Sequence, residues 1–207
     1  MSAVRARYPV PFGMIVSTTK GNYMKYTLTA LAAASLISTA ANAGTVTGEV
    51  RFGGVANGQA NSTEYDVQYW DTFSGLVTYG AELQTKQADN AGALDSKVSL
   101  KLGPALPKVA GVHVTAYGEV GQNLKLNNNY EFWGAGVKAS RDLYGPVSVN
   151  VGYRHREDFE NRAMNENRLN AGLGLALNDS TKLGATYYRT TGTVRDDQIG
   201  LSISKSF

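Results

Sequence analysis

From Gly44 onward, apolar side chains recur at every second position, and no segment carries the stripe of an amphipathic helix. A period of two places one set of side chains on each face of a strand. Residues 45–55 set Val46, Gly48, Val50 and Phe52 against Thr47, Glu49 and Arg51. The same alternation runs through "EYDVQYW", "VTYGAELQTK", "SKVSLKL", "VHVTAYGEV", "EFWGAGVKA", "VSVNVGYRHR", "RLNAGLGLAL" and "KLGATYYRT", and ends in "GLSISKSF". The connections "ANGQANS", "ADNAG", "NLKLNNN" and "ALNDST" are rich in Asn, Asp, Gly and Ser, the chemistry of turns. This pattern predicts ten strands, with eight as the alternative count.

Residues 1–43 obey another rule. Residues 24–43, "MKYTLTALAAASLISTAANA", join a basic start at Lys25, a short apolar run and a small-residue "ANA" ending. These are the parts of a cleaved secretory signal, and the run is too short to span a bilayer as a helix. Residues 1–23 read as an over-extended N-terminus, and 44–207 as the exported domain. Four of the 20 basic residues (Arg5, Arg7, Lys20 and Lys25) precede residue 44, and none of the 17 acids does. The basic balance therefore belongs to the leader, and a nucleic-acid partner is not expected. Cysteine is absent and there are two histidines, so neither a disulfide framework, a metal site nor a cofactor is expected.

Many short alternating strands suit either a soluble sandwich or a transmembrane barrel. Three features favour the barrel. The polar faces are rich in Gly, Ser and Thr, which fit a crowded interior. Aromatics gather near strand ends, at Tyr65, Tyr69, Trp70, Tyr79, Trp133, Tyr153 and Tyr187, as in the girdles of membrane barrels. The strand lengths approach the ~9–11 residues that a tilted membrane strand needs. An unpaired backbone group in hydrocarbon costs several kcal/mol, so the first strand must pair with the last. An all-antiparallel ring needs an even count. Connections after odd strands are mostly longer than those after even strands, the proline-rich "GPALPKVAG" excepted.

The ending "LSISKSF" resembles the C-terminal signal of bacterial outer-membrane barrels, through Leu201, Ile203 and Phe207. Lys205 departs from that pattern, where an apolar or aromatic residue is usual. The general look is that of small porin-like or opacity-type proteins. The resemblance implies an all-β, up-and-down antiparallel transmembrane barrel in the outer membrane. It further implies contact with outer-membrane lipid and lipopolysaccharide, and recognition by the barrel-assembly machinery.

Ten strands enclose a narrow interior. The inward-facing candidates are Glu49, Arg51, Glu82, Lys86, Lys97, Lys101, Glu119, Lys138, Arg154, Arg156 and Arg168. Three acids against eight bases predict a basic lumen. Such a lumen is either a narrow, porin-like passage for small, preferentially anionic solutes or a filled structural barrel of ion pairs. A surface adhesin is the alternative, with Glu157, Asp158, Glu160, Arg162 and Glu166 of "EDFENRAMNEN" available to a partner. An outer-membrane hydrolase fits least. Asp196 and Asp197 are adjacent, and His155 lies near Glu157 and Asp158, but strand neighbours point to opposite faces. No catalytic residue is therefore assigned. His113 is expected inside the barrel near the end that bears the termini.

Overall fold

The structure, a computed structural model, describes residues 44–54, 62–88, 94–124, 129–160, 164–193 and 195–207. Residues 24–43, read as a secretory signal, and the stretch before them lie outside the described residues. The strands are β1 (Thr45–Gly53), β2 (Ser62–Phe73), β3 (Val77–Ala88), β4 (Leu94–Pro104), β5 (Val112–Asn123), β6 (Tyr130–Asp142), β7 (Val147–Asp158), β8 (Asn165–Ala176), β9 (Thr181–Gly192) and β10 (Asp196–Ser206). Each pairs antiparallel with its sequence neighbours, and β1 pairs with β10 to close the ring. The closing register runs from Thr45 opposite Ser206 to Gly53 opposite Gln198. Ten strands, not eight, make the barrel.

Closure removes both sheet edges, so the ladder satisfies the strand backbone internally. One end of the barrel carries the connections 54–61, 89–93, 124–129 and 159–164, and the short 193–195. We call this the loop end. The opposite turn end carries 74–76, 105–111, 143–146, 177–180 and both strand termini of the ring. Two turns there use consecutive left-handed residues, Ser74–Gly75 and Ala110–Gly111. That is the backbone twist a tight two-residue hairpin requires. Val109 and Val112 exchange backbone hydrogen bonds across the second of them.

The distribution of polarity is inverted relative to a water-soluble protein. Among the described residues four apolar side chains are buried, Tyr69, Tyr117, Phe132 and Met164, while nineteen polar or charged ones are. Val67, Leu83, Leu100, Val120, Val137, Val151, Leu173 and Leu201 stand exposed around the outside. An apolar belt of this extent on a closed barrel is a surface built for hydrocarbon, and the fold is a transmembrane β-barrel. Tyr65, Trp133, Tyr153 and Tyr187 cap the belt toward the loop end. Tyr69 and Tyr79 cap it toward the turn end, where both hydroxyls donate to Asp71 Oδ2, at 3.0 and 2.8 Å.

Inward glycines make room for the large inward side chains. Trp70 pairs with Gly80, Tyr117 with Gly136, Phe132 with Gly121 and Arg51 with Gly200. A Cβ on Gly80 would meet Trp70 Cε3 at 2.9 Å. Gly80→Val is therefore expected to lower stability by about 1–3 kcal/mol, the usual result of overpacking. A downward shift of the urea midpoint in detergent would show it, and an unchanged midpoint would mean that Trp70 is not held against that strand.

Candidate functional site

All eleven charged residues read as inward are on the inner face. Glu49, Arg51, Glu82, Lys101, Glu119, Arg154, Arg156 and Arg168 are buried; Lys86, Lys97 and Lys138 are partly open. The structure adds six acids that the sequence reading did not count: Glu64, Asp66, Asp95, Asp158, Glu166 and Asp196. With Asp142 and Lys182, which share the inner face at the turn-end rim, ten described acids meet nine bases, and the expected basic excess disappears. Asp158 and Glu166, read as loop residues open to a partner, are buried inside the barrel. Arg162 lies outside the described residues.

These groups form a lattice in the loop-end half of the lumen. Arg51 on β1 donates through Nε to Glu49 Oε2 (2.7 Å), through Nη1 to Glu64, and through Nη2 to Asp66 Oδ2 (2.5 Å). Tyr188 Oη donates to both Glu49 oxygens at 2.8 and 2.9 Å, and its ring lies 4.5 Å from the Arg51 guanidinium carbon. On β7, Arg156 donates to Glu119 Oε1 (2.7 Å), Gln84 Oε1 (2.6 Å) and Glu82 Oε2 (2.7 Å). Arg154 reaches both Glu82 oxygens at 3.2 Å, and Lys101 Nζ stands 2.6 Å from Glu82 Oε2. Arg168 bridges Glu64 and Glu166, each at 3.3 Å.

Several of these bonds join strands four places apart around the ring, and such bonds can only cross the lumen. They are Arg154 on β7 to Glu82 on β3, Arg168 on β8 to Glu64 on β2, and Lys97 on β4 to Glu166 on β8. Arg156 is 1 % exposed and Asp66 2 %. At mid-height, packed side chains from opposite strands meet across the section. Toward the loop end a further polar cluster lines one side of the wall, where Asn123 donates to Asp95 Oδ1 (2.8 Å) and Tyr130 Oη (2.9 Å). Beside it, Met164 N donates to Asp158 Oδ2 at 2.9 Å.

The floor of the lattice corrects one expectation. Trp70, grouped by sequence with the outer aromatics, points inward. Its Nε1 donates to Gln68 Oε1 at 3.2 Å, and its ring meets Tyr117 edge-on with centroids 5.2 Å apart. Lys101 Nζ and Lys138 Nζ sit 5.1 and 5.2 Å from the ring centroid, in the range of a cation–π contact. Below this floor the inner face turns to small residues, among them Ser148, Gly172, Gly174, Gly184, Ser202 and Ser204.

Of the pairs that sequence offered for catalysis, His155 and Glu157 meet on the outer face, Nε2 to Oε2 at 3.6 Å; the others do not converge. Asp196 faces inward to Lys86 Nζ at 2.8 Å, while Asp197 faces outward and accepts from Tyr187 Oη at 3.0 Å. His155 lies on the outer face, against the Trp133 ring and 3.0 Å from Asn167 Oδ1, whereas Asp158 is inside. His113 sits at the turn end as expected, but it is exposed and makes no hydrogen bond among the described residues. Leu201, Ile203 and Phe207 stand on the outside, with Lys205 Nζ 5.5 Å from the Phe207 ring centroid.

The chain matches no protein-family model, and no curated protein matches it. Among solved structures it is similar to a bacterial polysaccharide outer membrane secretin, with TM-score 0.47 and 10 % identity over 79 % of this chain. The match spans 65 % of the secretin chain. It is also similar to the KdgM porin in complex with disordered oligogalacturonate, with TM-score 0.44, 10 % identity, and 79 % and 99 % of the two chains covered. The translocator domain of the autotransporter NalP from Neisseria meningitidis gives TM-score 0.41 and 11 % identity over 89 % and 97 %. The barrel is established by the strand pairing itself, to which likenesses at this level add nothing.

Proposed function

We propose that this is an outer-membrane barrel whose lumen is sealed in its resting state, a filled structural barrel rather than an open porin. The observation that carries the reading is the set of ion pairs crossing the lumen between opposite strands, all their side chains but Lys97 buried. Loops face the outside of the cell and the turn end faces the periplasm, the usual asymmetry of such barrels. Leu201, Ile203 and Phe207 serve as the signal to the barrel-assembly machinery, and phospholipid and lipopolysaccharide surround the apolar belt. Export through a cleaved signal peptide completes this account. It assigns no catalytic chemistry. A preference for anionic solutes in transit loses its basis, because the inward acids and bases nearly cancel.

Purified barrel in a planar bilayer at high salt is expected to be electrically silent. Regular conductance steps from the unaltered protein would contradict the seal. A narrow passage is the second reading, and it requires Arg154 and Arg156 to leave Glu82 and Glu119. The charge-balanced double variant Arg156→Ser with Glu119→Ser removes two bonds of that crossing without leaving a lone charge, and is expected to produce small conductance steps. Silence from a folded double variant would mean that the remaining pairs suffice to seal the lumen.

A further inference from the structure

We infer that the turn end of the lumen holds a binding pocket for a small oxyanion, centred on Lys138. Eight of the nine described inward bases have a carboxylate within ion-pair distance; Lys138 does not. Its ammonium makes one hydrogen bond, to Gln68 Oε1 at 3.3 Å, and lies beside the Trp70 ring. An ammonium has three donors, so two remain to be satisfied. A cation inside a barrel without a counter-charge is costly unless water or an anion reaches it.

The geometry supplies that access. Lys138 and Trp70 line a cavity of about 500 Å³ at the turn end, together with Thr45, Thr78, Thr115 and His113. The threonine hydroxyls offer further donors, and His113 stands exposed in the wall. Asp71, also in the lining, accepts hydrogen bonds from Tyr69, Tyr79 and the Thr72 amide, so its charge is already engaged. The lattice above closes the other side, so the pocket is a blind vestibule. An anion that enters binds and leaves by the same mouth. The inference deepens the sealed-barrel reading and rests on it for the claim that the mouth opens to the periplasm; the pocket itself rests on Lys138 and its surroundings.

Trp133 is the second of two tryptophans, so Trp133→Phe leaves Trp70 as the only indole reporter. In that background, sodium benzoate and sodium phosphate are titrated into the refolded barrel in detergent, against sodium chloride at matched ionic strength. A saturable change in Trp70 emission with either oxyanion is expected. Benzoate alone would mark the pocket as one for organic carboxylates, phosphate alone as one for compact oxyanions. Lys138→Gln is expected to weaken binding about tenfold or more, the loss of one charge-assisted contact. Lys86→Gln, at the opposite end and paired to Asp196, is expected to leave it unchanged. No saturable change with either probe, or equal binding by Lys138→Gln, would overturn the pocket. Heat-modifiable gel mobility of each variant reports whether the barrel is folded. Bilayer silence is scored separately, so a leaking but binding barrel refutes the seal alone.

Discussion

Truncation of Arg156 to alanine is expected to destabilise the barrel by about 3–5 kcal/mol, the loss seen when one partner of a buried ion pair is removed. Arg156 is among the most buried side chains in the lattice and donates to three acceptor side chains on two other strands. Its removal affects the two acids differently. Glu82 keeps Lys101 at 2.6 Å and Arg154 at 3.2 Å. Glu119 keeps only the Arg154 contact at 3.9 Å and a hydroxyl donor, Ser99, at 3.4 Å. The penalty therefore resides mainly in an unpaired Glu119 carboxylate. Adding Glu119→Gln to Arg156→Ala is expected to recover part of the loss, so the double variant falls short of the sum of the two single ones. Urea unfolding of the four proteins in the same detergent measures this coupling. Strict additivity would show that the two side chains do not share an interaction.

Val151→Arg is expected to lower stability by about 2–4 kcal/mol in a lipid bilayer, the usual effect of a cation on the lipid face near mid-membrane. Val151 lies within β7, between Ala139 and Ala171 on the neighbouring strands, and is 56 % exposed. In a water-soluble protein such an exposed valine would accept arginine with little change. The control is Tyr144→Arg in the turn after β6, where the side chain is 93 % exposed. There the effect is expected to fall to about 0–1 kcal/mol, as for positions near the interface. Folding into vesicles from urea gives both numbers. Equal tolerance at the two sites would place Val151 in water.

The barrel was legible because hydrocarbon and lumen impose opposite demands on alternate residues. Wherever a strand crosses lipid, as in Val147, Val149 and Val151 against Ser148 and Asn150, the contrast is plain. It fades toward the loop end, where the outer face meets headgroups and water. His155 and Glu157 face outward there, and Arg156 and Asp158 inward, so both faces are polar. That is why Asp158 and Glu166 read as loop residues although β7 and β8 extend to include them. The basic lumen expected from sequence followed from leaving such acids out. Glu64 and Asp66 share the parity of Gln68 on β2, and that parity is the signal that could have found them. Trp70 shares it too, but a large indole beside tyrosines reads as part of a girdle. Its inward place depends on Gly80 standing opposite, a register that appears only once strands are paired. The cross-lumen partnerships, and with them the isolation of Lys138, depend on which strands face one another across the ring.

The central claim is that lipid surrounds the outer face and packed ions and polar groups occupy the inner one. Because the chain has no cysteine, single nitroxide labels can be placed cleanly. Labels at Val114, Leu173 and Leu201, and at Asn150, Asn170 and Ser202, would be compared in vesicles for collision with dissolved oxygen and with a water-soluble nickel chelate. The account predicts high oxygen and negligible nickel accessibility at the first three, and low oxygen accessibility at the second three. Nickel accessibility at Val114, Leu173 and Leu201 equal to that of a turn residue such as Tyr144 would contradict it.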